Sequence, residues 1–126
     1  MAIQRVLLAE DDEAVRSMLQ TALERDGFQV VAVASVKHGL SLIAEEQFDV
    51  LLSDLDLPRA GDGLALVGAM RNTHPQAVTL VLSGDPFLEE ASCALRLEAD
   101  AVLAKSIEIA SLRRLIHEKL ATAWIL

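Results

Sequence analysis

Five short apolar runs punctuate the chain, at residues 6–9, 30–33, 50–52, 78–82 and 101–104. Each is continuous rather than alternating in polarity, the pattern of a strand covered on both faces. Between them, apolar positions recur at helical spacing. Val15, Met18, Leu19, Ala22 and Leu23 form one stripe, ended by Gly27 as a C-terminal cap. Val36, Leu40, Ile43 and Ala44 form a second, with Ser35 suited to the N-cap. Leu64, Val67, Ala69 and Met70 predict a third helix that stops at His74-Pro75. Residues 87–97 predict a fourth, with Pro86 fitted to its first turn, and Leu112, Leu115, Ile116 and Leu120 a last one. This alternation predicts an α/β fold with a parallel sheet and helices on both faces, because each parallel crossover needs a helix-length connection and is right-handed. Periodicity leaves the strand order open.

No repeat, low-complexity tract or linker interrupts the pattern, and 126 residues fit a single domain, 1–126. Hydrophobic residues make up 52% of the chain but aromatics only 3%, so the core must be built from Leu, Val, Ile and Ala. The lone Trp124 is expected to pack back onto the body. Eleven basic residues against nineteen acidic ones give a net charge of -8. A field of that sign repels phosphate backbones and anionic lipid heads, which argues against direct nucleic-acid binding and against a membrane-surface role. The single cysteine, Cys93, excludes an internal disulfide framework and a multi-cysteine zinc site, and reads as a small buried or half-buried hydrophobe. No apolar run approaches the ~20 residues that span a bilayer, and the first nine residues lack the makings of a signal peptide. The expected location is cytoplasmic.

Ligands of open α/β sheets bind beyond the carboxyl ends of the strands. Here those ends carry Glu10-Asp11-Asp12-Glu13, Ser53-Asp54-Leu55-Asp56, Ser83-Gly84 and Lys105-Ser106. Singly, each has an ordinary explanation: Asp12 and Glu13 as helix-capping acids, Asp54 as a turn residue, Ser83 as a cap, Lys105 as a solvated side chain. Together they put complementary chemistry on one rim. If the first and third strands are neighbours, Glu10, Asp11 and Asp54 crowd one point. Two carboxylates ~4 Å apart repel by roughly 4 kcal/mol at an effective dielectric of about 20. A hard divalent cation such as Mg²⁺, or Mn²⁺, relieves that cost. Lys105 and Ser83 then offer a charge and a hydroxyl to phosphoryl oxygens, and an aspartate in such a place can be the nucleophile that takes a phosphoryl group.

These residues resemble the receiver domain of two-component response regulators over roughly residues 4–120. The matching stretches are residues 6–12, residues 48–58 with Asp62-Gly63 beyond, residues 80–84 and residues 99–105. The resemblance implies a flavodoxin-like (βα)5 doubly wound fold with strand order 2-1-3-4-5. It implies Asp54 as phosphoacceptor, served by a histidine kinase or histidine phosphotransfer protein. Asp11, Asp54 and the Asp56 backbone carbonyl would hold Mg²⁺, with Glu10 assisting through the metal's water. Ser83, Gly84 and Lys105 would follow the phosphoryl group and switch a partner-binding surface on the last two helices. The implied role is signalling and not turnover catalysis. The downstream effector and a homodimer are left open.

The chain departs from the family pattern at three places. Arg59, Ala60 and Gly61 separate Pro58 from Asp62 where two residues are usual, a one-residue insertion beside the metal loop. Ser106 follows Lys105 where the family carries a cis proline, so that bond is either trans in a reshaped loop or strained. Val102 replaces the switch aromatic, so output must run through backbone and loop changes. Asp56, two residues beyond the acceptor, is either a solvated loop residue or a charge that tunes hydrolysis of the acyl phosphate. Two rival functions use the same residues. One is a non-phosphorylated pseudo-receiver acting as a binding module. The other is a haloacid-dehalogenase-like phosphatase using Asp54 and Asp56, against which stand the position of the acid pair and the lack of a cap domain. His38, His74 and His117 lack metal-ligand spacing, and Arg113-Arg114 is too short a basic run for nucleic acid. No output segment follows residue 126, which fits either a free-standing receiver or a piece of a longer regulator or hybrid kinase.

Overall fold

The computed structural model describes residues 3–84, 93–94, 96, 99–106 and 108–123. In chain order the elements are β1 (Arg5–Ala9), α1 (Glu13–Arg25), β2 (Gln29–Val33), α2 (Val36–Glu45), β3 (Val50–Asp54), α3 (Leu64–Thr73), β4 (Val78–Ser83), β5 (Ala101–Ala104) and α4 (Ile109–Ala123). The strands form one parallel sheet in the order β2-β1-β3-β4-β5. Most of the expected helix at 87–97, and Trp124, lie outside the described residues. Cys93 is half-buried, as a small hydrophobe should be, and accepts from an Arg96 guanidinium nitrogen at 3.2 Å.

The continuous apolar runs are explained by two cores, one on each face of the sheet. Leu7, Leu51 and Val81 face one side, where Ile43, Leu66, Val67 and Met70 of α2 and α3 cover them. Val6, Leu8, Leu52 and Leu80 face the other, under Leu19 and Leu23 of α1 and Leu112 and Ile116 of α4. Strands β3 and β4 are buried along their whole length, and β1 from Val6 onward.

Capping is local and specific. The Asp12 carboxylate accepts from Val15 N at 3.0 Å at the start of α1, and Ser35 Oγ accepts from His38 N at 3.2 Å at the start of α2. The cap at the end of α1 is Asp26, not Gly27; Gly27 stands one position beyond, at φ 96°. There it supplies the left-handed turn of a Schellman motif, with Gly27 N donating to Glu24 O and Phe28 N to Leu23 O. Two apolar stripes are narrower than their spacing predicts. Met18 is 53% exposed, and Leu40 and Ala44 are exposed as well. Helices α1 and α2 each bury only a pair of residues four apart, Leu19 with Leu23 and Gly39 with Ile43, leaving flanking positions to solvent.

Candidate acidic site at the carboxyl rim of the sheet

Register aligns the strand ends. Ala9 pairs with Ser53, Asp54 with Leu82, and Ser83 with Ala104, so the residues after β1, β3, β4 and β5 emerge on one rim. Glu10 N donates to Val33 O, Leu55 N to Leu82 O and Lys105 N to Ser83 O, which extends the ladder into the rim and fixes the backbone there. The structure therefore brings Glu10, Asp11, Asp54, Ser83 and Lys105 to the same end of the sheet.

One carboxylate oxygen each from Glu10, Asp11 and Asp54 lies within 4.8 Å of the others. Glu10 and Asp54 are buried, Asp11 is exposed, and Ser83, at the end of β4, is buried. The Lys105 ammonium is 2.8 Å from Asp54 Oδ2 and 3.7 Å from Glu10 Oε1. The closer contact is an ion pair of distance and charge: among the described residues Asp54 Oδ2 receives no well-aligned hydrogen bond, and buried Glu10 Oε2 receives none. The other oxygens are anchored, Glu10 Oε1 by Asp12 N at 3.1 Å and Asp54 Oδ1 by Asp56 N at 3.1 Å.

Three carboxylates face one ammonium, and the site perturbs Glu10 and Lys105. Burial pushes the Glu10 carboxyl up to about 7; the Asp12 N–H opposes this, Asp54 adds repulsion, and Lys105 pulls the other way. For Lys105, burial acts downward, but contact with Asp54 and the charges of Asp54, Glu10 and Asp11 outweigh it and hold the ammonium above its ordinary value. Two buried carboxylate oxygens without aligned donors, beside an exposed third carboxylate, fit a hard cation with oxygen preference.

The loop after β3 absorbs the extra residue. Asp62 N donates to Arg59 O at 3.1 Å, Gly63 N closes the loop on Leu55 O at 2.8 Å, and Gly61 turns at φ 83°. Asp56 Oδ1 accepts from Gly61 N at 3.2 Å. Gly63 must be glycine: a Cβ there would stand 2.1 Å from the Asp54 carbonyl oxygen. By contrast, Gly84 is exposed, with nothing among the described residues within 4 Å of an added Cβ. The cis peptide among the described residues is Leu57-Pro58, so Lys105-Ser106 is trans. Val102 is half-buried against the α2–α3 core.

Sequence reasoning passed over Arg16. Its guanidinium reaches back from α1 to the Glu10 carbonyl at 2.9 Å and the Asp11 carbonyl at 3.5 Å, tying down the acidic loop. A basic residue one turn into the helix after an acidic loop is the only signal the sequence offers. His74 and His117 stay away from the rim: His74 is buried against the Ile43 carbonyl, and His117 contacts Asp26. Among the described residues, no helix is long and apolar enough to cross a membrane.

A family model described as the response regulator receiver domain matches residues 6–117. The chain is 32% identical over 116 residues to the response regulator protein PilR of Pseudomonas aeruginosa, covering 92% of this chain and 26% of PilR. It spans between about a quarter and a half of the length of the curated relatives it matches. Among solved structures, a CheY-like receiver domain protein from Methanospirillum hungatei superposes with a TM-score of 0.90 at 29% identity, covering 97% of both chains. A response regulator from Burkholderia pseudomallei, solved with a phosphorylated aspartic acid, calcium ion and citrate, superposes with a TM-score of 0.83 at 28% identity, covering 94% of this chain and 69% of that one.

Proposed function

Because this chain belongs to the response regulator receiver family, we propose that it serves phosphorelay signalling by accepting a phosphoryl group on Asp54 from a phosphohistidine of a histidine kinase or phosphotransfer protein. The observation that carries this reading is a buried Asp54 with one oxygen anchored by Asp56 N, the other facing Lys105, and two more carboxylates within 4.8 Å.

Glu10, Asp11, Asp54 and the Asp56 carbonyl would hold Mg²⁺ or Mn²⁺. A bound ion of this kind neutralises charge between an acceptor carboxylate and an incoming phosphoryl group. The chain's own residues do the rest. The Asp56 N–H fixes the carboxylate plane through Oδ1, which leaves Oδ2 to attack phosphorus in line. A P–O bond forms, the P–N bond breaks, and its electron pair returns to the imidazole nitrogen. Lys105, within reach of Oδ2, takes a phosphoryl oxygen, and Ser83 at the end of β4 offers its hydroxyl to another. Movement of the Ser83-Gly84 loop and of Lys105 would then alter the surface flanking β4 and β5. With Val102 in place of a ring, the signal runs through backbone.

In this reading the chain is a cytoplasmic signalling module whose partners are a phosphohistidine protein and an effector or output domain. The intact set of acids, hydroxyl and lysine supports it over a degenerate binding module. Incubation with a phosphorylated histidine phosphotransfer protein and Mg²⁺ tests it: label should pass to the parent and not to Asp54→Asn. Failure of transfer from several phosphohistidine donors would contradict the reading.

A further inference from the structure

We propose that the Asp56 carboxylate is a positioning residue, a clamp that holds the enlarged loop after β3 and thereby fixes the Asp56 backbone beside Asp54. The inference rests on the receiver reading for its functional meaning. Three contacts carry it. The Asp56 N–H donates to Asp54 Oδ1 at 3.1 Å, so the backbone of residue 56 is part of the acceptor's setting. Its side chain turns the other way, and Oδ1 accepts from Gly61 N at 3.2 Å, five positions along. Gly61, at φ 83°, is the residue that can turn its amide inward at little steric cost.

The bracing has a purpose that the sequence supplies. Leu55 and Leu57 are buried to 1% and 2% exposure and pin the chain on either side of Asp56. Beyond Leu57 the loop carries Arg59, Ala60 and Gly61, one residue more than the family pattern, and its backbone closes at Leu55 O only when Gly63 is reached. A longer loop costs more entropy to close and leaves more ways to misplace its ends. The Asp56–Gly61 contact divides it into two short turns. Without that acceptor the Gly61 N–H loses its partner, and the Asp56 carbonyl and N–H lose their fixed direction. What the clamp requires is an oxygen at the γ position, not a negative charge.

Asp56→Asn keeps an acceptor and removes the charge; Asp56→Ala removes both. Two measurements on the full chain decide. The first is hydrogen exchange of the Gly61 amide without metal: it is slow in the parent and in Asp56→Asn, and fast in Asp56→Ala. Fast exchange in the parent overturns the proposal, whatever the variants do. The second is Mg²⁺ titration with the metal alone. Asp56→Ala binds about tenfold more weakly than Asp56→Asn, the scale of one lost hydrogen bond. Equal Mg²⁺ affinity of the two variants overturns the clamp; if both also bind more weakly than the parent, the role of Asp56 is one of charge. Phosphorylation is scored separately. A parent that never takes a phosphoryl group but shows both differences contradicts the receiver reading and supports the clamp. A parent that does, with no difference between variants, overturns the clamp alone.

Discussion

Lys105 Nζ stands 2.8 Å from Asp54 Oδ2, although β4 lies between the strands that carry them. The contact spans two inter-strand spacings, because Lys105 leaves an edge strand and reaches back across the rim while Asp54 is held in the buried centre. It is the sole lysine or arginine charge paired with the acidic group among the described residues. Lys105→Met should therefore slow phosphorylation by acetyl phosphate by about tenfold or more, the order expected for a lost charge-assisted contact. It should also leave Glu10 and Asp54 facing each other without relief. A parental rate in this variant would remove Lys105 from the site.

Divalent cation should stabilise the folded chain, since the Glu10, Asp11 and Asp54 oxygens converge only when β1 and β3 are paired. At about a hundredfold excess over Kd, binding to the native state alone contributes about 2.7 kcal/mol. For a domain of this size that raises the Tm by roughly 10 °C. Asp54→Asn should reduce the Mg²⁺-dependent rise while leaving the metal-free protein folded. An equal rise in both proteins would place the ion elsewhere.

Two glycines at the rim make opposite predictions. Gly63→Ala forces a Cβ to within 2.1 Å of the Asp54 carbonyl, a backbone atom that cannot rotate away. Overpacking of this kind costs about 1–3 kcal/mol, so the Tm should drop and the acceptor should react more slowly. Gly84→Ala meets nothing within 4 Å among the described residues and should leave the Tm unchanged. Scanning calorimetry of the pair checks this directly.

How much of this was legible in the sequence follows from which forces are local. The five apolar runs disclosed the strands because both faces of the sheet are covered, and Asp12 and Ser35 disclosed their helices because capping acts within three residues. Met18 was misplaced because spacing alone does not say how wide a buried stripe is. Strand order was open to periodicity and came only with the family resemblance. At the site, the identities of the acids and lysine were legible as strand-end residues. Where Asp56 aims was not: that depends on Gly61 turning its amide inward five residues away. Asp26 shows the same limit over 87 residues of separation, where its carboxylate meets Arg113 at 2.7 Å.

That contact gives a pH prediction. Hydrogen bonding from Arg113 holds the Asp26 carboxyl below its ordinary value; burial opposes it, and a further bond from His117 acts with Arg113 to keep the net direction downward. A carboxyl whose folded pKa is depressed adds stability above its unfolded pKa of about 3.9, and that contribution is lost as pH falls through the folded value. The parent should therefore lose Tm more steeply than Asp26→Asn as pH is lowered below about 4. Parallel curves would show that the α1–α4 contact carries no net stabilisation.

If Asp54 is the phosphoacceptor proposed above, its chemistry depends on the acids and lysine around it. Intact-mass spectrometry after incubation with acetyl phosphate, with and without Mg²⁺, tests it most directly. One phosphoryl adduct is expected that requires Mg²⁺ and is absent from Asp54→Asn. A folded parent that stays unmodified with Mg²⁺ present, or an adduct that survives in Asp54→Asn, would contradict it.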